Sequence, residues 1–113
     1  HQVRGETMKT LTEVGIRKQL QRFSDSLSHA EYDCNGKVEK IDFMKLSIEN
    51  DTLRVFIYFD ETITGEVARV RLVDKDGDIV ALAERVFIKP TAKGLYVAFR
   101  YRLVEMEVDE NVI

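Results

Sequence analysis

Val67-Ala68-Arg69-Val70-Arg71-Leu72-Val73-Asp74-Lys75-Asp76-Gly77-Asp78-Ile79-Val80-Ala81-Leu82-Ala83 places two alternating runs on either side of an aspartate-rich centre. Before the centre, Ala68, Val70 and Leu72 alternate with Val67, Arg69, Arg71 and Val73; after it, Val80 and Leu82 alternate with Ile79, Ala81 and Ala83. A period of two sends successive side chains to opposite faces of a strand. Asp76-Gly77 supplies residue types that tolerate positive φ, so residues 67–88 read as a β-hairpin with this turn at its tip.

Working outward, the returning strand is interrupted by Glu84-Arg85 before Val86-Phe87-Ile88, which predicts a bulge in a long strand. Past the only proline, Pro90, residues 95–108 read as the last strand. There Leu95, Val97, Phe99, Tyr101 and Leu103 alternate with Tyr96, Ala98, Arg100 and Arg102, and the phase flips at Val104. On the other side of the hairpin, Leu53, Val55, Ile57 and Phe59 alternate with Arg54, Phe56, Tyr58 and Asp60, the pattern of an inner strand. Residues 38–49 change phase at Phe43-Met44, which a second bulge would absorb.

The chain begins differently. Thr10 and Glu13 have the spacing of a capping box. Ile16, Leu20, Phe23, Leu27 and Ala30 then recur at four and three residues, one stripe of an amphipathic helix. Asp33-Cys34-Asn35-Gly36 ends it with turn formers. The expected fold is α+β: an N-terminal amphipathic helix packed on a five-stranded antiparallel meander, its stripe across Val55, Ile57, Val70, Leu72, Val80, Leu82, Val97 and Phe99. The alternative is a β-sandwich with an N-terminal helix at its edge. Residues 1–9 read as a flexible N-terminus, in which Met8 has the look of a natural start and the seven residues before it that of an appended tag. Residues 10–108 form a single domain, and residues 109–113 are an acidic, frayed end.

Composition sets the function classes. With 113 residues, 44% hydrophobic and 33% charged, the chain is long enough for one core and too apolar for disorder. Its 17 basic and 20 acidic side chains leave a net charge of −3, no field to draw it onto nucleic acid or an anionic membrane. One cysteine excludes an intrachain disulfide and leans toward a reducing cytoplasm. No apolar run approaches the ~20 residues of a membrane span, and no signal peptide is legible.

Chemistry is sparse. Asp74, Asp76 and Asp78 suggest calcium, but an EF-hand needs glycine at the sixth loop position and glutamate at the twelfth, between helices; here glycine is fourth and strands flank it. His29, Asp33 and Cys34 are close in sequence without a metal or nucleophile spacing, and Glu84 has no second acid or histidine placed against it. No phosphate loop or nucleophile elbow is present, so neither cofactor nor metal is expected and an enzyme is disfavoured. What stands out is an arginine-and-aromatic set on the phase opposite the core: Arg54, Phe56, Tyr58, Arg69, Arg71, Tyr96, Arg100 and Arg102. Such a face recognises a partner or is a solvated face with its arginines paired across strands.

The leading expectation is a small non-enzymatic interaction or structural protein, of the kind bacteria and phages use as accessory proteins, self-associating through an exposed sheet face or edge. Second comes a ligand-binding or catalytic α+β domain with a pocket near Phe23, Leu27, Tyr101 and Glu84. Nucleic-acid binding through the arginine face is third, disfavoured by the overall charge.

Overall fold

Strict alternation over residues 52–59 is the clearest link from sequence to structure. In the computed structural model, which describes residues 7–106 and 108–109, Leu53, Val55, Ile57 and Phe59 are fully buried while Arg54, Phe56 and Tyr58 are partly exposed. The elements in order are β1 (Thr7–Met8), α1 (Glu13–Ser26), β2 (Leu27–Cys34), β3 (Lys37–Ile41), β4 (Lys45–Glu49), β5 (Thr52–Phe59), β6 (Gly65–Asp74), β7 (Ile79–Lys89), β8 (Leu95–Arg102) and β9 (Val108–Asp109).

The fold is α+β, one helix followed by antiparallel strands, and the strands divide between two sheets instead of forming one five-stranded meander. One sheet has the order β3-β2-β6-β7, the other β4-β5-β8, and β1 pairs with β9 in a two-residue ladder. The inward rows of both sheets share one core. Ala30 and Tyr32 from β2 and Val67, Val70 and Leu72 from β6 join the β5 row and Phe99 of β8. Tyr32 meets Phe59 edge to face at 4.9 Å between centroids, across the two sheets. Burial pushes the Tyr32 phenol above its usual range, with the nearby Cys34 thiol adding to it.

The helix starts later and stops sooner than its stripe implies. Thr12, not Thr10, is the cap, its hydroxyl accepting from the Gly15 N–H at 3.0 Å. Ile16, Leu20 and Phe23 pack on the core, Phe23 edge to face with Tyr101 at 5.9 Å. After Ser26 the chain passes straight into β2, so Leu27 and Ala30 are strand residues. A register shift between Leu27 and His29 turns both inward at a spacing of three, which imitates a helical stripe. The helix end is tied to the hairpin turn by the Lys75 N–H donating to the Ser26 carbonyl at 2.8 Å, which satisfies one of the carbonyls a helix leaves open.

The hairpin of β6 and β7 forms as its alternation predicts. Gly77 takes φ 87°, and the Asp74 carboxylate accepts from the N–H groups of Asp76 (3.0 Å) and Asp78 (2.9 Å), an aspartate turn. A register shift lies opposite Glu84-Arg85, and Arg69 across from it adopts φ 53°. A further shift between Leu72 and Val73 makes Val80 an extra residue in β7. Val80 and Leu82, expected in the core, are therefore exposed, and Ala81 and Ala83 face inward. The phase change at Phe43-Met44 is not a bulge: β3 ends at Ile41 in one sheet and β4 starts at Lys45 in the other. The last long strand ends at Arg102, short of residue 108.

Beyond β8, Glu105 fastens the two ends of the described chain. Its carboxylate accepts from the Leu11 and Thr10 N–H groups and the Thr10 hydroxyl, each at 2.7 Å. The expectations for the first residues and the acidic end fall mostly on 1–6 and 110–113, which lie outside the described residues. The Leu11 N–H and then the Thr10 hydroxyl hold the Glu105 carboxyl below the usual glutamate range. A depressed carboxyl stabilises the folded arrangement above its unfolded-state pKa and loses that contribution as pH falls through the folded one. In an NMR pH titration, the Thr10 and Leu11 amides should therefore titrate together with the Glu105 carboxyl, at a midpoint below that of an unfolded-peptide glutamate, and stop doing so in Glu105→Gln.

Candidate interaction surfaces

Two sheets packed on each other leave two outer faces, and the eight arginine and aromatic residues singled out above divide between them. Six share the outer face of the three-stranded sheet. The β5–β8 register sets Thr52 against Arg102, Arg54 against Arg100, Phe56 against Ala98, and Tyr58 against Tyr96. From β4, Lys45 stands opposite Phe56 and Ser47 opposite Arg54. Tyr96 is 61% exposed and Met44 49%. Met44, Lys45, Phe56, Tyr96 and Ala98 line a shallow depression of about 300 Å³. The Tyr58 and Tyr96 rings lie 4.7 Å apart. Tyr58 is also overlaid by the backbone at Gly94, where an added Cβ would come within 2.6 Å of its Cζ. Glycine is needed there for the approach of the chain to the ring, not for its own φ.

Charge on this face is unevenly met. Arg54 reaches Glu49 at 3.0 Å, and Arg102 reaches Asp51 at 3.9 Å, with both members of the second pair largely in solvent. Arg100 is exposed and has no ion-pair partner among the described residues.

Arg69 and Arg71 are elsewhere, on the four-stranded sheet, and they do not join the other six. Arg71 is a structural cation, 6% exposed, with its guanidinium 3.5 Å from Glu31 and 3.1 Å from Asp33 and donating to the Arg69 carbonyl at 3.0 Å. Arg69, turned out by its left-handed backbone, spans Asp33 at 3.4 Å and Glu84 at 3.5 Å. Glu84 points outward, with 71% of its side chain exposed. His29 sits in the same row, its Nε2 3.1 Å from Glu31. Cys34 is five residues from His29 along β2, and its thiol donates to the Thr64 carbonyl at 3.7 Å; odd spacing sends the two side chains to opposite faces, so no Cys-His pair forms.

Beside this network runs the feature that alternation alone did not show. β7 is an edge strand, and its Ile79, Val80, Leu82, Val86 and Ile88 are 55%, 38%, 41%, 57% and 74% exposed. The register places Ile79, Leu82 and Val86 beside Val73, Arg71 and Ala68 on the outer face. Val38 of β3, 63% exposed, lies on the same row as Val86 through Asp33 and Ala68.

The residues proposed to line a pocket do not converge. Phe23, Leu27 and Tyr101 are packed into the core, whereas Glu84 stands on the outside of the four-stranded sheet. Other hollows of about 300 and 250 Å³ lie beside the helix start, lined among others by Glu13, Arg17 and Asp51, and by Lys9, Arg102 and Glu105. The carboxylates of Asp74, Asp76 and Asp78 come within 4.8 Å of one another, but that of Asp74 is engaged by the turn's own N–H groups. Lys89, 1% exposed, donates to the Pro90 carbonyl at 2.9 Å. No helix among the described residues is long and apolar enough to cross a membrane. Comparison of the chain with protein-family models, with curated proteins and with solved structures finds no match.

The two classes of arginine separate in a stability measurement. Arg71→Met leaves Glu31 and Asp33, each about three-tenths exposed or less, without their shared cation, and should lower the unfolding free energy by about 1–3 kcal/mol in urea titrations. Arg100→Met should stay within ~0.5 kcal/mol of the parent.

Proposed function

We propose that the chain is a small non-enzymatic protein-interaction module that associates with a second copy of itself through the outer face of the four-stranded sheet. The supporting observation is the aliphatic stripe of β7, five half-exposed side chains on one edge strand. A monomer rarely leaves a contiguous apolar patch beyond ~300–600 Å² in water. The stripe occupies one edge of a face that, with its charged network, spans roughly 500 Å² in projection, from four strands at ~4.8 Å and about eight residues at ~3.3 Å. A stable interface buries ~600–1,000 Å² per partner, so covering the face and its rim meets the lower bound. A two-fold axis lays the stripe against itself, the isologous contact of the commonest dimers.

Contact between faces is favoured over pairing between edges. The irregularity at Glu84-Arg85 and the extra residue at Val80 interrupt the ladder within β7, and bulges and charges of this kind are what keep edge strands from pairing with one another. Cys34, the only cysteine, supports a reducing cytoplasm as the place of work.

Light scattering behind size-exclusion chromatography should show the mass rise from one chain to two between low micromolar and near-millimolar concentration. Val86→Glu combined with Ile88→Glu, both at exposed positions, should hold the chain at one copy without loss of its circular-dichroism spectrum. A parent chain that keeps the mass of one copy at the highest concentration would rule the reading out.

A further inference from the structure

We propose that the outer face of the three-stranded sheet is a second docking surface, and that its occupant is an extended acidic peptide segment with one apolar anchor, added as a strand beside β8. The inference rests on the reading of the chain as an interaction module, and not on its self-association.

Charge carries the argument. Arg54 and Arg100 stand directly opposite each other on β5 and β8, and like charges in direct opposition destabilise a sheet. Arg102 lies two residues further along the face of β8, and Lys45 in the flanking strand. Against these four cations the face sets Glu49, bonded to Arg54, and Asp51, at 3.9 Å from Arg102. A chain of net charge −3 thus collects a local excess of positive charge that the carboxylates of the described residues do not neutralise. Local conflicts of this kind concentrate where a sequence serves binding instead of stability. On the other sheet, by contrast, Arg69 and Arg71 are each matched by two acids, and Arg85 lies over the Phe87 ring at 5.5 Å.

Geometry specifies the form of the partner. β8 ends its sheet, paired only with β5 among the described residues, so its outer backbone groups are available for strand addition. A strand laid there has the repeat of β8, ~3.3 Å per residue, and every second side chain lies beside Tyr96, Ala98, Arg100 and Arg102. An apolar side chain of the added strand lies beside Tyr96 and Ala98, the β8 wall of the depression that Phe56, Met44 and Lys45 close on the far side. Carboxylates two to six residues along the peptide then reach Arg100 and Arg102, where a guanidinium accepts a carboxylate as a bidentate pair.

Two other occupants fit less well. Single-stranded nucleic acid needs successive open rings on which bases stack, but Tyr58 is overlaid at Gly94 and Phe56 is half-buried, which leaves Tyr96 alone. A second copy docked on this face by a two-fold axis would bring cation against cation.

The test is an NMR titration of the ¹⁵N-labelled chain with three probes: a synthetic nonapeptide carrying one leucine and alternating glutamates, the same peptide with lysine for glutamate, and a thymidine nonamer. The acidic peptide should shift amides of β8 and saturably so, with affinity falling as salt rises. Arg100→Glu should weaken it about tenfold or more, and Tyr96→Ser should weaken it too, each variant keeping a dispersed spectrum. Absence of shifts along β8, equal binding of the lysine peptide, or tighter binding of the nonamer would each overturn the proposal. Light scattering on the same samples keeps the two readings apart: a chain that dimerises and ignores the peptide loses this surface alone, and one that binds the peptide as a monomer loses self-association alone.

Discussion

Tyr32 and Phe59 meet edge to face at 4.9 Å, and what that contact joins governs the rest of the molecule. The two residues belong to different sheets, and behind each stands a row with almost no exposure: Ala30 and Leu72 on one side, Leu53, Val55 and Ile57 on the other. Because both inward rows are spent on each other, each sheet keeps an outer row over which the described residues place no second layer. The helix does not supply one. Its stripe of Ile16, Leu20 and Phe23 joins the shared core, with Phe23 against Tyr101.

The two outer rows then diverge in chemistry for a backbone reason. Arg69 at φ 53° sits in an irregular stretch of β6, and the turn of the chain there lets its guanidinium bridge Asp33 and Glu84 while Arg71 lies back over Glu31 and Asp33. Arg69 and Arg71 of the four-stranded sheet are matched internally, and beside their network the aliphatic edge of β7 stays exposed. The β5–β8 pair is regular through all eight of its partners, so Arg54 and Arg100 are held in direct opposition with no bulge to part them. One face is left with a paired network and an aliphatic edge, the other with more cations than acids among the described residues.

Regular alternation was what made part of this legible in advance. The hairpin of β6 and β7 follows from its aspartate-glycine tip and the alternation on either side, and the buried row of β5 and the six residues of the basic, aromatic face follow from a period of two uninterrupted by extra residues. Errors fell where one residue was added. The shift near Ser28 spaced Leu27 and Ala30 as a helix would. The extra Val80 exchanged the faces of its strand, sending Leu82 out and Ala81 in. Phe43-Met44 carried the chain from one sheet to the other and looked, in one dimension, like a bulge.

By itself the sequence determined where strands alternate, where the chain turns, and which side chains share a phase, because those depend on neighbours one to four residues away. Whether an arginine is structural or free was decided only by the tertiary structure. Arg71 and Arg100 occupy equivalent phases of similar strands, yet Asp33, 38 residues distant along the chain, reaches Arg71, and among the described residues no acid reaches Arg100. Pairing at that separation is set by strand order, which hydrophobic periodicity does not encode.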